Sequence, residues 1–555
     1  MSNTREIISL QFGHYSNFVG THFWNLQEKS FSYTTPELEI NHDVLYREGL
    51  NHRNEVTYTP RLLLVDLKGS LKHLSQLGGL YNDDVEDNPE SIVTWDSSKT
   101  EVKKEEKIPK NKFQESLDKN TDSESSHILT DEEVDVWSDY LYGRFHQSTI
   151  NLIEEYQHKN EHASQFDTFT CGSELWKTDR YSEDFTDKIR LYAEDCDNMQ
   201  GFQIFLDSTD GFSGFGSNCI DYLRDEYENK SILTIPLIGS FEKEDDFLDF
   251  KEKNTVNQKN LTRQINTALT ISSICEPSSL VIPMSMCKNG WRTKLPRSFS
   301  YLNYNIDSNY HTSAIIASCI DTFSLRYRTR NTSNPSYLYH LCNDLNGVGR
   351  KVAAASINFP FGIKENEHFI DCLDTWEGPL WNSLTPRYEI DVDRCLQSIS
   401  LRGIPESRLK GPRIESNKQV IMPSYRCSDI REMLLFYLSC TSYATASTVT
   451  NILKPVNVKQ PYPDIFTENV SIYGDISEQK REKNQHVESA PVIAGVHSST
   501  NLGTMLETLH RETDRLKISR IDKFFSSGGL EIDEYKEKIN GIMDLRENYV
   551  DEHFL

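Results

Sequence analysis

The run Asp210-Gly211-Phe212-Ser213-Gly214-Phe215-Gly216 places three glycines and a serine between two ordered-looking segments. Before it lies the apolar stretch Phe202-Gln203-Ile204-Phe205-Leu206, which predicts a strand, and after it helical periodicity continues to Tyr227. Strand, glycine turn, helix is the geometry of a phosphate cradle. Glycine lets the backbone come close to a ligand, and the helix start aims free N–H groups and the positive end of its dipole at an anion. An earlier turn repeats the theme, with Gly13, Asn17 and Gly20 following Ile7-Ile8-Ser9-Leu10. Asp66 closes the apolar run Arg61–Val65, where a carboxylate either caps the strand or stands beside a phosphate-bound metal. The candidate nucleotide-type set is therefore Gly13, Asn17, Gly20, Asp66, Gly211, Ser213, Gly214 and Gly216.

Other chemistries find no support. GxSxG, HExxH and GxxxxGK[ST] patterns are absent. The 11 cysteines form no CxxC pair or zinc-like spacing, and the odd count without a secretory leader fits reduced thiols. His42, His52 and His73 are dispersed and read as surface or turn residues. No catalytic residue and no metal site is assigned.

The elements that must hold the candidate residues alternate strand and helix. Helical spacing over Asn17–Gln27 carries Val19, Phe23, Trp24 and Leu26; Arg61–Asp66 reads as a strand buried on both faces, and Ile232–Leu237 as another. This predicts an α/β fold with a mostly parallel sheet covered on both faces. Thr312–Tyr327, rich in small apolar residues, predicts a helix buried all round that connects two domains. Val352–Asn358 and Pro491–Gly495 read as strands of the second unit. Leu502, Met505, Leu506 and Leu509, with Leu516 extending them, mark one face of a late helix. Residues 97–130 have almost no apolar content and predict a disordered loop insertion; residues 478–488 predict an exposed loop.

Apolar residues make up 37 % of the 555, enough for sizeable cores. The net charge of -25 repels a phosphate backbone and argues against nucleic acid as a partner. No stretch is long and apolar enough to span a bilayer, so membrane association is expected to be peripheral.

Several segments resemble tubulin, in collinear order. The opening IISLQFGHYSNFVGTHFW is similar to the tubulin GQCGNQIG loop and the FW that follows it, and RLLLVDLKG to its VDLEPG segment. Cys196–Phe202 resembles CDxLQGF, which leads into the tubulin phosphate loop GGGTGSG. Arg350-Lys351-Val352-Ala353 with Phe359-Pro360 resembles RKLAVNMVPFP, and His497-Ser498-Ser499-Thr500 resembles NSTA. Within tubulin-like proteins the chain is identified as similar to the misato family through FGHYSNFVGTHFWN, VWSDYL at Val136–Leu141 and DGFSGFGS at Asp210–Ser217.

The resemblance implies a tubulin/FtsZ-like fold. Its N-terminal Rossmann-like domain would span 1–96 and 131–328, with 97–130 inserted and the central helix at its end. A second mixed α/β domain would span 329–500 and C-terminal helices 501–555. It also implies a degraded nucleotide site. His14, Tyr15, Ser16 and Phe18 replace Gln, Cys, Gly and Gln of the first loop, while Gly13, Asn17 and Gly20 persist. In a gapless register Phe212 and Phe215 replace small residues of the phosphate loop, their rings blocking close backbone approach, and Asp210 adds negative charge. Lys68 replaces an acid two positions beyond Asp66. His311 and Asp307 stand near the base-reading Asn and the stacking aromatic of the central helix. Val348 falls at the loop acid that positions water, with Asp344 four residues away. The expectation is a protein that is no enzyme and has no resident cofactor, GTP being the one ligand the resemblance leaves open.

The family further implies a role in mitochondrial distribution and morphology, in the cytoplasm and peripherally at the mitochondrial outer membrane. Spindle assembly with tubulin and the cytosolic chaperonin is implied for some members. Tubulin, the chaperonin, or mitochondrial fusion and outer-membrane proteins are the expected partners. A GTP-binding switch and a filament-forming GTPase remain the alternatives.

Overall fold

The structure is a computed structural model. It describes the chain apart from residues 1–4, 32–38, 51–53, 79, 81–107, 119–128, 160–164, 242–248, 287–298, 331–334, 390–394, 411–422, 442–445, 483, 517–522, 526–529 and 551–555. His52 lies outside the described residues.

Six strands build the first sheet: β1 (Ile7–Phe12), β2 (Leu62–Lys68), β3 (Ile150–Gln157), β4 (Gly201–Asp207), β5 (Ser231–Leu237) and β6 (Leu280–Val281). Every pair is parallel, and the order is β3-β2-β1-β4-β5-β6. Every residue of β1, β4 and β5 is buried, which is why these segments read as continuous apolar runs rather than alternating ones. One face carries the helix His14–Ser30 and the central helix Asn309–Arg328. The other carries Phe169–Trp176, Phe212–Glu226, Phe250–Cys275, Leu502–Asp514 and Ile532–Glu547. The late helix ends at Asp514, so Leu516 lies beyond it, partly buried against the same layer.

Both faces are covered as expected, and the C-terminal helices belong to the outer layer of this first sheet. The strand order reverses between β1 and β4. In open α/β sheets the crevice outside the strand ends at such a point is where ligands sit.

The second sheet is mixed. Its strands are β7 (Ala354–Asn358), β8 (Asn382–Ser383), β9 (Leu396–Arg402), β10 (Ala446–Ile452) and β11 (Val492–Ser498), in the order β8-β7-β11-β9-β10, with only β9 and β10 parallel. The central helix packs on one face, and Ile430–Cys440 packs against β10. The central helix is buried almost throughout, as its composition predicts.

An ion cluster ties the two units together. Asp321 on the central helix accepts from Arg328 Nη2 (2.8 Å) and Gln27 Nε2 (2.6 Å), and from Arg402 Nη1 of β9. Burial works to raise the Asp321 pKa, but Arg402 and Arg328 overcome it and hold the carboxyl below its ordinary range.

Two expectations need correction. Residues 112–118, inside the segment expected to be disordered, form a helix. Phe113 is buried, and Gln114 Nε2 donates to the carbonyls of Ser138 and Leu141 (3.2 and 2.9 Å), so this piece of the insertion is pinned by one aromatic anchor and one amide. His42 and His73 do occupy turns, yet the His42 side chain is buried and burial drops its pKa to about 4. The His73 side chain is only 5 % exposed.

Candidate functional site

The crevice at the end of β1 and β4 is built from Gly13 onward. Gly13 caps the helix His14–Ser30 with φ +111°, a conformation that favours glycine. The first-turn N–H groups of that helix should be free to hold an anion. They are taken. Tyr15 N donates to Asp207 Oδ2 (2.9 Å), and Ser16 N and Ser16 Oγ both donate to Asp207 Oδ1 (2.7 Å each). Asp207 is the last residue of β4 and is 3 % exposed.

The backbone donors from Gly211 to Phe215 are likewise spent. Gly211 N bonds to Phe166 O (3.1 Å), Phe212 N to Asp210 Oδ1 (3.0 Å) and Ser213 N to Asp210 O (3.1 Å). Gly214 N and Phe215 N both bond to Gly211 O (3.2 Å each), and Ser213 Oγ donates to Asp210 O. Each of these five backbone donors serves the chain itself.

The glycines of this turn serve packing. A Cβ on Gly214 would sit 1.9 Å from Phe169 O, one on Gly211 2.8 Å from the Phe166 ring, and one on Gly216 2.4 Å from Leu206 Cδ1. They bring the helix Phe212–Glu226 against Phe169–Trp176 and against β4. Gly20 has the same function on the opposite face, its absent Cβ leaving room for the Gln11 amide at 2.3 Å.

Phe212 and Phe215 do not fill the crevice in the way the gapless register suggests. Phe212 packs edge-on against Phe166 (5.0 Å), and Phe215 sits among Trp176, Tyr181 and Phe185 and against Phe12 at the end of β1, on the outer-helix side of the sheet.

Asp66 is fully buried. It accepts from Asn17 Nδ2 (3.0 Å), Trp137 Nε1 (2.8 Å) and Leu67 N (2.8 Å), with His14 Nδ1 3.3 Å away. Burial works to raise its pKa, but His14, Asn17 and the Leu67 N–H hold it below the usual carboxylate range. Asn17 and Asp66, both in the candidate set, thus bond to each other, and Trp137 closes the group. Lys68, two residues on, points to solvent.

Between the first helix and the central helix, where a nucleoside would run, the Tyr15 hydroxyl donates to Thr312 Oγ1 (3.1 Å). Behind it His22 packs against Tyr140 (4.4 Å) and Tyr310 (5.2 Å), and burial drops its pKa to about 3, so it stays neutral. His311 Nδ1 accepts from Asn305 N (3.0 Å), and Asp307 is exposed at the same turn.

Val348 lies in the turn Gly347–Gly349, after a further helix, Leu338–Leu345, rather than directly after the central helix. The central helix is followed by residues 329–337, TRNTSNPSY, which contain no acid. Asp344 is paired with Arg326 at 3.1 Å.

Two acids, Asp207 and Asp210, share the crevice. Burial pushes Asp207 up to about 7 against the bonds from Tyr15 and Ser16, and burial together with the Asp207 charge pushes Asp210 well above the carboxylate range. Among the described residues no group of His, Cys, Asp and Glu is arranged to hold a metal ion.

The parallel sheet, its switch-point crevice and the buried connecting helix define a tubulin-like protein, and a family profile described as Tubulin domain matches residues 126–329. Another, described as Misato Segment II tubulin-like domain, matches residues 5–119. The chain is 33 % identical to Protein misato of Drosophila melanogaster over the full length of both. It is 32 % identical to Protein misato homolog 1 of Homo sapiens over 98 % of each, and 30 % identical to that of Danio rerio over 99 % of this chain and 97 % of the relative. The chain belongs to the misato family.

Sequence reasoning missed Asp207, Tyr15 as a bridge, Thr312 and Trp137. Trp137 lay in plain view within VWSDYL, and the only signal for Asp207 was an acid ending a buried strand just before the glycine turn.

Proposed function

We propose that this chain is a non-catalytic tubulin-like protein acting as a binding surface in mitochondrial distribution and morphology. Its place is in the cytoplasm and peripherally at the mitochondrial outer membrane. Contact with tubulin, the cytosolic chaperonin or mitochondrial fusion and outer-membrane proteins is its means of action, and spindle or microtubule assembly a further setting. It needs no cofactor.

One observation carries the non-catalytic part. The backbone donors of Tyr15, Ser16 and Gly211 to Phe215, which lie where a polyphosphate would be held, already bond within the chain. An unsatisfied nucleotide competes with these bonds and gains no new ones. The mitochondrial part rests on family membership. Peripheral attachment is consistent with the described helices, none of which is long and apolar enough to cross a membrane.

Purified protein tests the reading. It is denatured, released nucleotide is separated by chromatography, and labelled GTP is titrated onto the native chain. Empty protein with no saturable binding is expected. Stoichiometric guanine nucleotide would establish the switch instead, and GTP-dependent pelleting with turnover the filament. Proximity labelling in cells tests the location, with mitochondrial outer-membrane proteins, tubulin or chaperonin subunits expected among the labelled neighbours.

A further inference from the structure

We propose that Asp207 is a built-in ligand: its carboxylate occupies an oxyanion seat formed by Tyr15 N, Ser16 N and Ser16 Oγ, doing in cis what a phosphate group would do from solution. The inference rests on the closed-crevice reading above and gives the closure a single removable part.

Three observations converge. Both carboxylate oxygens are held, Oδ2 by one backbone N–H at 2.9 Å and Oδ1 by a backbone N–H and a hydroxyl at 2.7 Å each, a donor set suited to a tetrahedral oxyanion. The helix they open is 17 residues long and has no acid in its own first turn, so the charge that complements its dipole comes from β4. Gly13 is shaped for this guest. With φ +111°, its missing Cβ would lie 2.3–2.6 Å from Asp207 Oδ2, Cγ and Cβ. The glycine that persists from a nucleotide loop therefore makes room for a side chain.

Because Asp207 is fixed to the strand beside the seat, its effective concentration exceeds that of any free anion, and phosphate does not displace it. Removing the carboxylate leaves the donors facing an empty seat, which inorganic phosphate then fills.

The test is the thermal midpoint of the full chain in chloride and in inorganic phosphate at pH 8, where Asp207 is ionised, and at equal ionic strength, for wild type and Asp207→Ser. Asp207→Ser is expected to lose ~3–6 °C in chloride and to regain half or more of that in phosphate, while wild type moves by less than ~1 °C. If Asp207→Ser does not accumulate folded, Asp207→Asn, which keeps the volume, is followed by deuterium exchange over residues 13–17. Exchange faster than wild type in chloride and in phosphate alike is the expected result, since the neutral amide holds the two N–H groups more weakly yet still fills the seat. Equal phosphate shifts in Asp207→Ser and wild type, or an Asp207→Asn protein whose exchange over residues 13–17 matches wild type, overturn the proposal. Nucleotide found seated in wild type would sink the closed-crevice reading itself; nucleotide-free wild type with an unrescued Asp207→Ser would sink only the built-in ligand.

Discussion

The Tyr15 hydroxyl reaches Thr312 Oγ1 at 3.1 Å, joining the first turn of one helix to the first turn of another 297 residues later. Tyr15 is 9 % exposed, so the bond is made in a nearly dry setting. It pins the phosphate end of the crevice to the end where a base would be read.

Tyr15→Phe keeps the ring and removes the bond. A loss of about 1 kcal/mol is expected, since Thr312 Oγ1 can still donate to Ser308 O (2.9 Å). Tyr15→Ala also opens a cavity and is expected to cost ~3–5 kcal/mol. Urea unfolding of the three proteins measures both, and equal losses for Phe and Ala would assign everything to the hydroxyl.

Asp321 carries the join between the two units. Replacing it by Ala leaves Arg328 and Arg402 buried and facing each other without their counter-ion. Such uncompensated charge costs ~3–5 kcal/mol. Denaturation curves are expected to shift to lower urea, and a variant matching wild type would show that water replaces the carboxylate. Converting all three charged residues to apolar ones of similar volume should recover most of the loss.

Gly214→Ala separates a packing glycine from a ligand-facing one. The added Cβ would meet Phe169 O at 1.9 Å, backbone against backbone, so the two helices must part. A loss of ~2–4 kcal/mol is expected in the absence of any ligand. Gly239→Ala, where a Cβ meets only Thr209 Oγ1 at 3.8 Å, is the control and should change stability by less than about 1 kcal/mol. A soluble, undiminished Gly214→Ala protein would return this glycine to the list of ligand contacts.

The Asp207 and Asp210 pair gives stability a pH slope. Both carboxyls lie above their unfolded values, Asp207 at about 7 because burial disfavours its charge, and Asp210 because burial and the Asp207 charge disfavour its own. The folded state therefore holds more protons than the unfolded one between about pH 4 and pH 7. Stability from this pair is fully present below the unfolded pKa and is lost as pH rises through the folded one. Asp210→Asn removes the repulsion, flattens the slope and raises stability at pH 8. Unfolding midpoints from pH 4.5 to 8 check this, and parallel curves for the two proteins would show that the pair does not titrate in the window.

Local sequence decided much of this molecule. Strands such as Ile7–Phe12 and Gly201–Asp207 are legible because burial on both faces demands unbroken apolar residues, and the helix Asn309–Arg328 because small apolar residues on every side leave it no wet face. Collinear loop motifs carried the fold class and the family. The helix Lys112–Asp118 was not legible, since a single Phe113 in polar surroundings gives no periodicity.

Tertiary structure alone decided what the candidate site does. Asp207 meets Ser16 across 191 residues, Trp137 meets Asp66 across 71, and Thr312 meets Tyr15 across 297. No spacing rule encodes such meetings, because they arise only when parallel strands bring distant chain ends to one edge of a sheet. The same glycines that spell a phosphate loop in sequence prove in space to be points of close helix approach. Which of the two a glycine serves depends on what stands opposite its missing side chain, and only the folded chain fixes that.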